Sequence, residues 1–274
     1  MVLPNRKRNN QSSIITKINI EMQEKEEEKT IVGITTGNEA EETLQYSYKH
    51  PHPAVTTDCV IFCFDKKDLN VLLVKRGVEP YKDTWAFPGG FLRMDESAEE
   101  CALRELKEET NLTPVHIEQF HTFTKVDRDP RERVITIAYF ALIKKSEVLG
   151  GDDASEAQWF KVKDIPQLAF DHDFILSKAL TALNQKIHFE PIGFDLLETE
   201  FSIPELQRLY EAILNTHFDR RNFQKKMLQL GILEESKNNV KKKNPKGRSK
   251  NKKWRFIPEK YEEMRINKQF RLEF

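Results

Sequence analysis

Four glutamates and an arginine stand within fourteen residues of this chain, Glu96, Arg104, Glu105, Glu108 and Glu109, at spacings that suit binding of a divalent cation. Gly90 precedes Glu96 by six positions. Ser97 followed by Glu100 forms a capping box, so a helix should begin there. On that helix Glu105, Glu108 and Glu109 are related by three and four residues and share one face. Ala102, Leu103 and Leu106 occupy the neighbouring arc, which can pack against a sheet. Crowded carboxylates repel one another, and a hard cation relieves the repulsion. Magnesium suits the site best, because it takes oxygen ligands, keeps waters and acts with substrate phosphates; manganese is the second choice. Arg104 can pair with Glu100 or Glu108 at helical spacing. Taken alone, Lys107-Glu108-Glu109 reads as a solvated acidic helix face.

The whole run GFLRMDESAEECALRELKEETNL, from Gly90 to Leu112, resembles the Nudix signature, G-x5-E-x7-R-E-U-x-E-E-x-G-U with U apolar. One defined position differs: Asn111 stands where the family has its last glycine. Asparagine is the usual substitute in the left-handed conformation that closes a helix, so metal binding is not put in doubt. The resemblance implies a metal held by Glu108, Glu109 and the Gly90 carbonyl. Glu105 would ligate metal or orient water, and Arg104 paired with Glu96 would brace the helix.

The elements that must position this segment can be read around it. His50-Pro51-His52-Pro53 opens the ordered part. Val55 to Phe64 and Leu69 to Lys75 are apolar and β-branched runs separated by the turn Asp65-Lys66-Lys67-Asp68, which predicts a hairpin. Trp85-Ala86-Phe87-Pro88-Gly89-Gly90 is a tight loop leading into the signature helix. Strands are expected over Val115–Thr124, Val134–Ile143 and Gln158–Val162, and a helix over about Phe174–Gln185. These elements fit the α/β/α sandwich of the resemblance. Residues 1 to about 48 are polar, with an acidic run from Glu24 to Glu28, and are expected to be a disordered extension.

Two loops are candidates for ligand contact. Asp127-Arg128-Asp129-Pro130-Arg131-Glu132-Arg133 carries guanidiniums that grip phosphates bidentately, making Arg131 and Arg133 candidates for a diphosphate or terminal ribose. The competing reading is an exposed hairpin tip with self-paired charges. In Ala169-Phe170-Asp171-His172, Asp171 reads as a helix cap, ahead of a catalytic role for His172. Glu156 reads as an ordinary strand-edge residue or, less simply, as a further carboxylate for metal or base.

The formal net charge of zero conceals an uneven distribution: residues 201–274 hold 19 Lys and Arg against 9 Asp and Glu, and the rest 25 against 35. The basic end therefore suits an anionic partner. After Pro191-Ile192-Gly193, Ser202 and Glu205 form a second capping box before the apolar stripe Leu206, Leu209, Tyr210, Ile213 and Leu214. Asp219 caps a further helix, Arg220–Leu230, stopped by Gly231. On it Phe223, Met227 and Leu230 line one face, and Arg221, Gln224 and Lys225 the other. Ile232-Leu233 and Trp254-Arg255-Phe256 would flank a wing whose tip is KKKNPKGRSKNKK, with Lys241, Lys242, Lys243 and Arg248. Helix, helix and basic wing suggest a winged helix-turn-helix with its second helix in the DNA major groove. Arg220, Arg221, Gln224, Lys225 and the wing are the candidate DNA residues. The lysines serve phosphates and carry little sequence information; a solvated loop is the alternative for the run by itself.

Both halves together resemble the Nudix-related transcriptional regulators, over roughly residues 48 to 274, including His52-Pro53-Ala54-Val55, DRDPRERV, AFDH and EPIGFDLL. That group senses sugars or nucleotide sugars such as ADP-ribose and often lacks catalytic carboxylates, which this chain retains. The expectations are an α+β fold with an extension over 1–48, a Nudix domain over 49–190 and a winged helix over 191–274. The leading functional expectation is magnesium-dependent hydrolysis of a nucleoside diphosphate derivative, ADP-ribose-like. The alternative is a DNA-binding regulator that senses such a molecule. The resemblance also implies a homodimer. No apolar run is long enough for a membrane span, the start lacks a signal peptide's apolar stretch, and Cys59, Cys63 and Cys101 read as buried thiols, so the cytoplasm is expected.

Overall fold

The computed structural model describes residues 48–114, 116–148, 154–237, 252–267, 269 and 271–272. The proposed N-terminal extension before residue 48 and the wing-tip candidates Lys241, Lys242, Lys243 and Arg248 lie outside the described residues. The chain divides into two compact units, Met1–His52 and Pro53–Phe274, and among the described residues every strand and helix belongs to the second.

Strand β1 (Ala54–Phe64) turns back into β2 (Leu69–Arg76) as an antiparallel hairpin. Asp65 builds the turn, accepting hydrogen bonds from the Lys67 and Asp68 amides. Short strands β3 (Trp85–Ala86) and β4 (Gly89–Phe91) lead to helix α1 (Ala98–Thr110), and then come β5 (Glu118–Phe123), β6 (Val134–Lys144) and β7 (Ala154–Lys161). The seven strands form one sheet with the central order β3-β2-β1-β6-β5; β4 pairs with β1 and β7 with β2. β1 and β6 run parallel over eleven residues, from Ala54 opposite Val134 to Phe64 opposite Lys144.

Alternation along β1 makes this sheet the middle layer of a sandwich. Cys59 and Ile61 pack with Ala102 and Leu106 of α1. Val60, Phe62 and Phe64 face the other way, joining Ile175, Leu176, Ala179 and Leu183 of α2 (His172–Ile187). The α/β/α expectation holds, with strand ends moved by several residues. All three cysteines are buried and free.

The C-terminal elements are α3 (Gly193–Leu196), β8 (Phe201–Ser202), α4 (Ile203–Leu214), α5 (Arg220–Gln229), β9 (Leu233–Glu235), β10 (Lys253–Phe256) and α6 (Pro258–Asn267). A three-stranded antiparallel sheet, β8-β10-β9, flanks the two central helices and completes a winged helix. The Ser202–Glu205 capping box forms as the spacing predicts. Strand β8 and helix α6 have no counterpart among the sequence expectations. The apolar cluster of α2 continues without a break through Ile192, Phe201, Leu206, Leu209, Phe223 and Phe256, so the winged helix and the sandwich share a core. Among the described residues no helix is long and apolar enough to cross a membrane.

Candidate ligand and metal site, and candidate DNA face

The signature helix is built as its residues dictate. Ser97 accepts the Glu100 amide while the Glu100 carboxylate accepts the Ser97 amide, and Asn111 closes the helix at φ 59°. Gly89 and Gly90 lie between β1 and α1: a Cβ on Gly89 would collide with the Thr57 backbone carbonyl, and one on Gly90 would have to push aside the Glu105 carboxylate. Both glycines line a cavity of about 490 Å³. Glu105, Glu108 and Glu109 face it from one side, Arg76, Arg131, Phe91 and Phe170 also line it, and Asp58, Arg128 and His172 border it from within.

Arg104 ties the carboxylates together. Its guanidinium donates to Glu96 at 2.6 and 2.8 Å, to Glu105 at 2.6 Å and to Glu108 at 3.0 Å. The Glu96 partner is the one the resemblance implied; the Glu100 option is not used, because that carboxylate serves the cap. These hydrogen bonds hold the Glu96 carboxyl at about 2 and raise the Arg104 pKa. Glu109 is left out of the arginine network. It accepts the Gly89 amide at 2.9 Å. Burial, reinforced by the charges of Glu105 and Asp58, pushes its carboxyl up to about 8.

Asp58 is a second buried carboxylate, only partly compensated. Burial raises its pKa to about 6 against the pull of Arg128, and its Oδ2 has no hydrogen-bond partner among the described residues. Arg128 Nη2 lies 3.7 Å from that oxygen, as an ion pair without a hydrogen bond. A hard divalent cation fits this donor set, since it relieves both Glu109 and Asp58. With Arg104 bridging Glu105 and Glu108, no three ligand groups among the described residues converge on one point. The helix thus answers part of its own repulsion with an internal cation, the Arg104 guanidinium.

The arginine loop corrects the sequence reading. Arg131 does line the cavity, held by the buried Asp129 carboxylate at 2.7 and 3.0 Å. Its guanidinium lies over the Phe91 and Phe170 rings, 5.2 and 5.7 Å from their centroids. Arg133 does not line the cavity: it donates to the Lys125 and Thr124 carbonyls just past the end of β5. The competing reading of an exposed tip does not hold for Arg128, which is only 7 % exposed. Asp171 precedes α2 but makes no side-chain cap; it holds Arg128 bidentately at 2.7 and 3.1 Å. His172 is buried and its pKa is depressed to about 3 by that burial, so the ring is neutral; Nδ1 accepts the Phe87 amide at 2.9 Å. Glu156 is exposed on β7 opposite Lys75 and stays out of the cavity.

Asp58 and Arg76 line the cavity and were missed by sequence reasoning, while Arg128 and Phe170 lie in the two loops it singled out without being named as candidates themselves. The one charged residue in the strand AVTTDCVIFCF was the available signal for Asp58. In the winged helix, Arg220, Arg221, Gln224 and Lys225 are all exposed, while Phe223 and Met227 on the opposite face are buried. The Asp219 side chain caps this helix through the Asn222 amide.

The NUDIX domain model matches residues 52–182, and the NrtR DNA-binding winged helix domain model matches residues 193–252. The ADPR responsive transcriptional repressor NtrR of Acinetobacter baylyi is 34% identical over 192 residues, 68% of this chain and 77% of that protein. The chain belongs to the Nudix family, in the form that carries an NrtR-type winged helix. Its Nudix domain is also similar to the ADP-ribose pyrophosphatase of Methanocaldococcus jannaschii, 42% identical over 46% of this chain and 72% of that protein. Crystal structures of Shewanella oneidensis NrtR superpose with TM-scores of 0.62 alone and 0.60 in complex with a 27mer DNA. Their identities are 31% and 28%, and each comparison covers 76% of this chain and 95% of the other. The Nudix domain and the winged helix are thus matched together in one relative, in the same order along the chain.

Proposed function

We propose that this chain is a DNA-binding transcriptional regulator whose Nudix domain binds ADP-ribose, or a closely related nucleoside diphosphate derivative, as effector. This reverses the order of the two functional expectations. The observation that carries it is the winged helix itself, whose second helix displays Arg220, Arg221, Gln224 and Lys225 to solvent while its core is continuous with that of the Nudix domain. Support comes from the similarity to an ADPR responsive repressor across both parts. We place ligand binding in residues 49–190 and DNA binding in 191–274.

In the cavity, Arg76 and Arg131 supply positive charge for diphosphate oxygens, and Phe91 and Phe170 supply flat apolar faces. Glu105, Glu108, Glu109 and the Gly90 carbonyl would hold magnesium, with Arg104 and Glu96 bracing the helix. When bound, the metal would neutralise phosphate charge and lower the pKa of water. A second reading, hydrolysis of the same ligand, is favoured by one observation: the carboxylates Glu105, Glu108 and Glu109 are all present at the cavity. The two readings are compatible, with substrate acting as inducer.

The test is a gel shift with a duplex selected from a random-sequence pool by the wild-type protein. Binding should weaken steeply with salt and respond to ADP-ribose with magnesium. Failure to retain any duplex at low salt would reject the regulator and leave the hydrolase.

A further inference from the structure

Two adjacent residues at the start of α2 each hold a residue that lines the cavity. Asp171 holds Arg128, which also donates to Thr136 at 2.6 Å and lies beside Asp58. His172 accepts the Phe87 amide and so fixes the loop that carries Gly89 to Glu109 and Gly90 to Glu105. The residue before them, Phe170, has φ 52°, a conformation a bulky side chain holds only when its surroundings impose it. Sixteen residues later, about 24 Å along a helix, the same element ends against the core of the winged helix. Leu183 and Ile187 share its core with Leu206 and Leu209. His188, just past the last turn, pairs in both directions with Leu272 of the C-terminal segment: the Leu272 amide donates to the His188 carbonyl, and His188 Nδ1 lies 2.8 Å from the Leu272 carbonyl. Leu272 is 1 % exposed.

We propose that α2 is the coupling element between effector and DNA, with Asp171 and His172 as positioning residues at its ligand end and the His188–Leu272 pair as its attachment at the DNA end. This rests on the regulator reading above. An anionic ligand entering the cavity changes the field at Arg128, whose guanidinium is buried and so only weakly screened in its ion pair with the partly buried Asp171. A cation at Glu109 pulls on the loop that His172 holds. Both changes reach the first turn of α2, and a packed helix responds to them as one rigid body. Another contact between the two parts, Arg208 Nε to the Lys66 carbonyl at 2.9 Å, meets the hairpin at its turn, away from the cavity residues Thr56, Asp58 and Arg76.

The experiment measures ADP-ribose affinity by calorimetry, in magnesium, with and without the selected duplex. The ratio of the two affinities is the coupling, and about fivefold or more is expected for the wild type. Asp171→Asn and Leu272→Asp should each bring it below twofold, with folded circular dichroism spectra and with ADP-ribose and duplex each still bound. Arg208→Ala should leave it within twofold of wild type. A ratio unchanged in both α2 variants overturns the proposal, as does an equal loss in Arg208→Ala. Failure of Asp171→Asn to bind millimolar ADP-ribose also overturns it, since Asp171 then belongs to ligand binding itself. A wild-type ratio of one refutes instead the regulator reading on which the proposal stands.

Discussion

The two charged helices, α1 and α5, use their side chains in opposite ways. On α1 the charges are locked: Arg104 spans three glutamates, Glu109 is fixed by a backbone amide, and burial shifts the Glu109 carboxyl far from its usual range. On α5 the four polar residues of the outer face stand in solvent, and only the inner face, Phe223 and Met227, is packed. A small ligand with a fixed array of oxygens rewards pre-organised groups, because little ordering remains to be done on binding. Nucleic acid presents a long repeating phosphate surface, which mobile exposed cations neutralise without fixed geometry.

Breaking the locked side should have the largest effect. Glu109→Gln should lower any magnesium-dependent hydrolysis of ADP-ribose by on the order of 100-fold or more, with the melting transition retained; unchanged turnover would remove Glu109 from the site. The same residue sets a pH dependence. Its folded pKa of about 8 lies above the ordinary 4.5, so the metal-free fold loses stability as pH rises from about 4.5 through 8. Magnesium must displace that proton, so its affinity should rise between pH 6 and 8 by up to about tenfold per unit and then level. Calorimetry across this range checks the sign, and affinity that falls with pH contradicts it.

On the displayed side, the triple change of Arg220, Arg221 and Lys225 to Ala should weaken duplex binding by about 100-fold at moderate salt and reduce the salt slope by up to about three. ADP-ribose binding should be unaffected, as checked by filter binding and calorimetry. The corrected arginine loop offers a smaller contrast. Arg131→Ala should weaken ADP-ribose by about tenfold through a lost charge-assisted hydrogen bond, whereas Arg133→Ala should change it less than about twofold on the same principle. Equal losses would mean that the loop turns on binding. Smallest of all, Asn111→Gly should shift stability by less than about 1 kcal/mol, since both residues tolerate the left-handed cap; a larger shift in a denaturant melt would show that the Asn side chain does more than close the helix.

What was legible in the sequence was local. Both capping boxes, the left-handed Asn111 and the hairpin turn at Asp65 join residues a few positions apart, and each appears as expected. The inward and outward faces of α5 followed from its periodicity. What was hidden depends on partners far along the chain. Arg128 meets Asp171 across 43 residues and His172 meets Phe87 across 85, so turn chemistry alone left the first open between ligand contact and an exposed tip and made Asp171 a cap. The parallel pairing of β1 with β6 is equally remote in sequence. Helix α6 escaped notice because its polar composition hides one buried anchor, Tyr261.

The central claim is that one cavity and one DNA face belong to the same switch. The most direct measurement is a fluorescence titration of the selected duplex with wild-type protein, in magnesium, at zero and at saturating ADP-ribose. The regulator account predicts a change in duplex affinity of about fivefold or more that the Arg131→Ala variant shows only at higher ADP-ribose. Two superimposable curves, with ADP-ribose binding established separately, would contradict it.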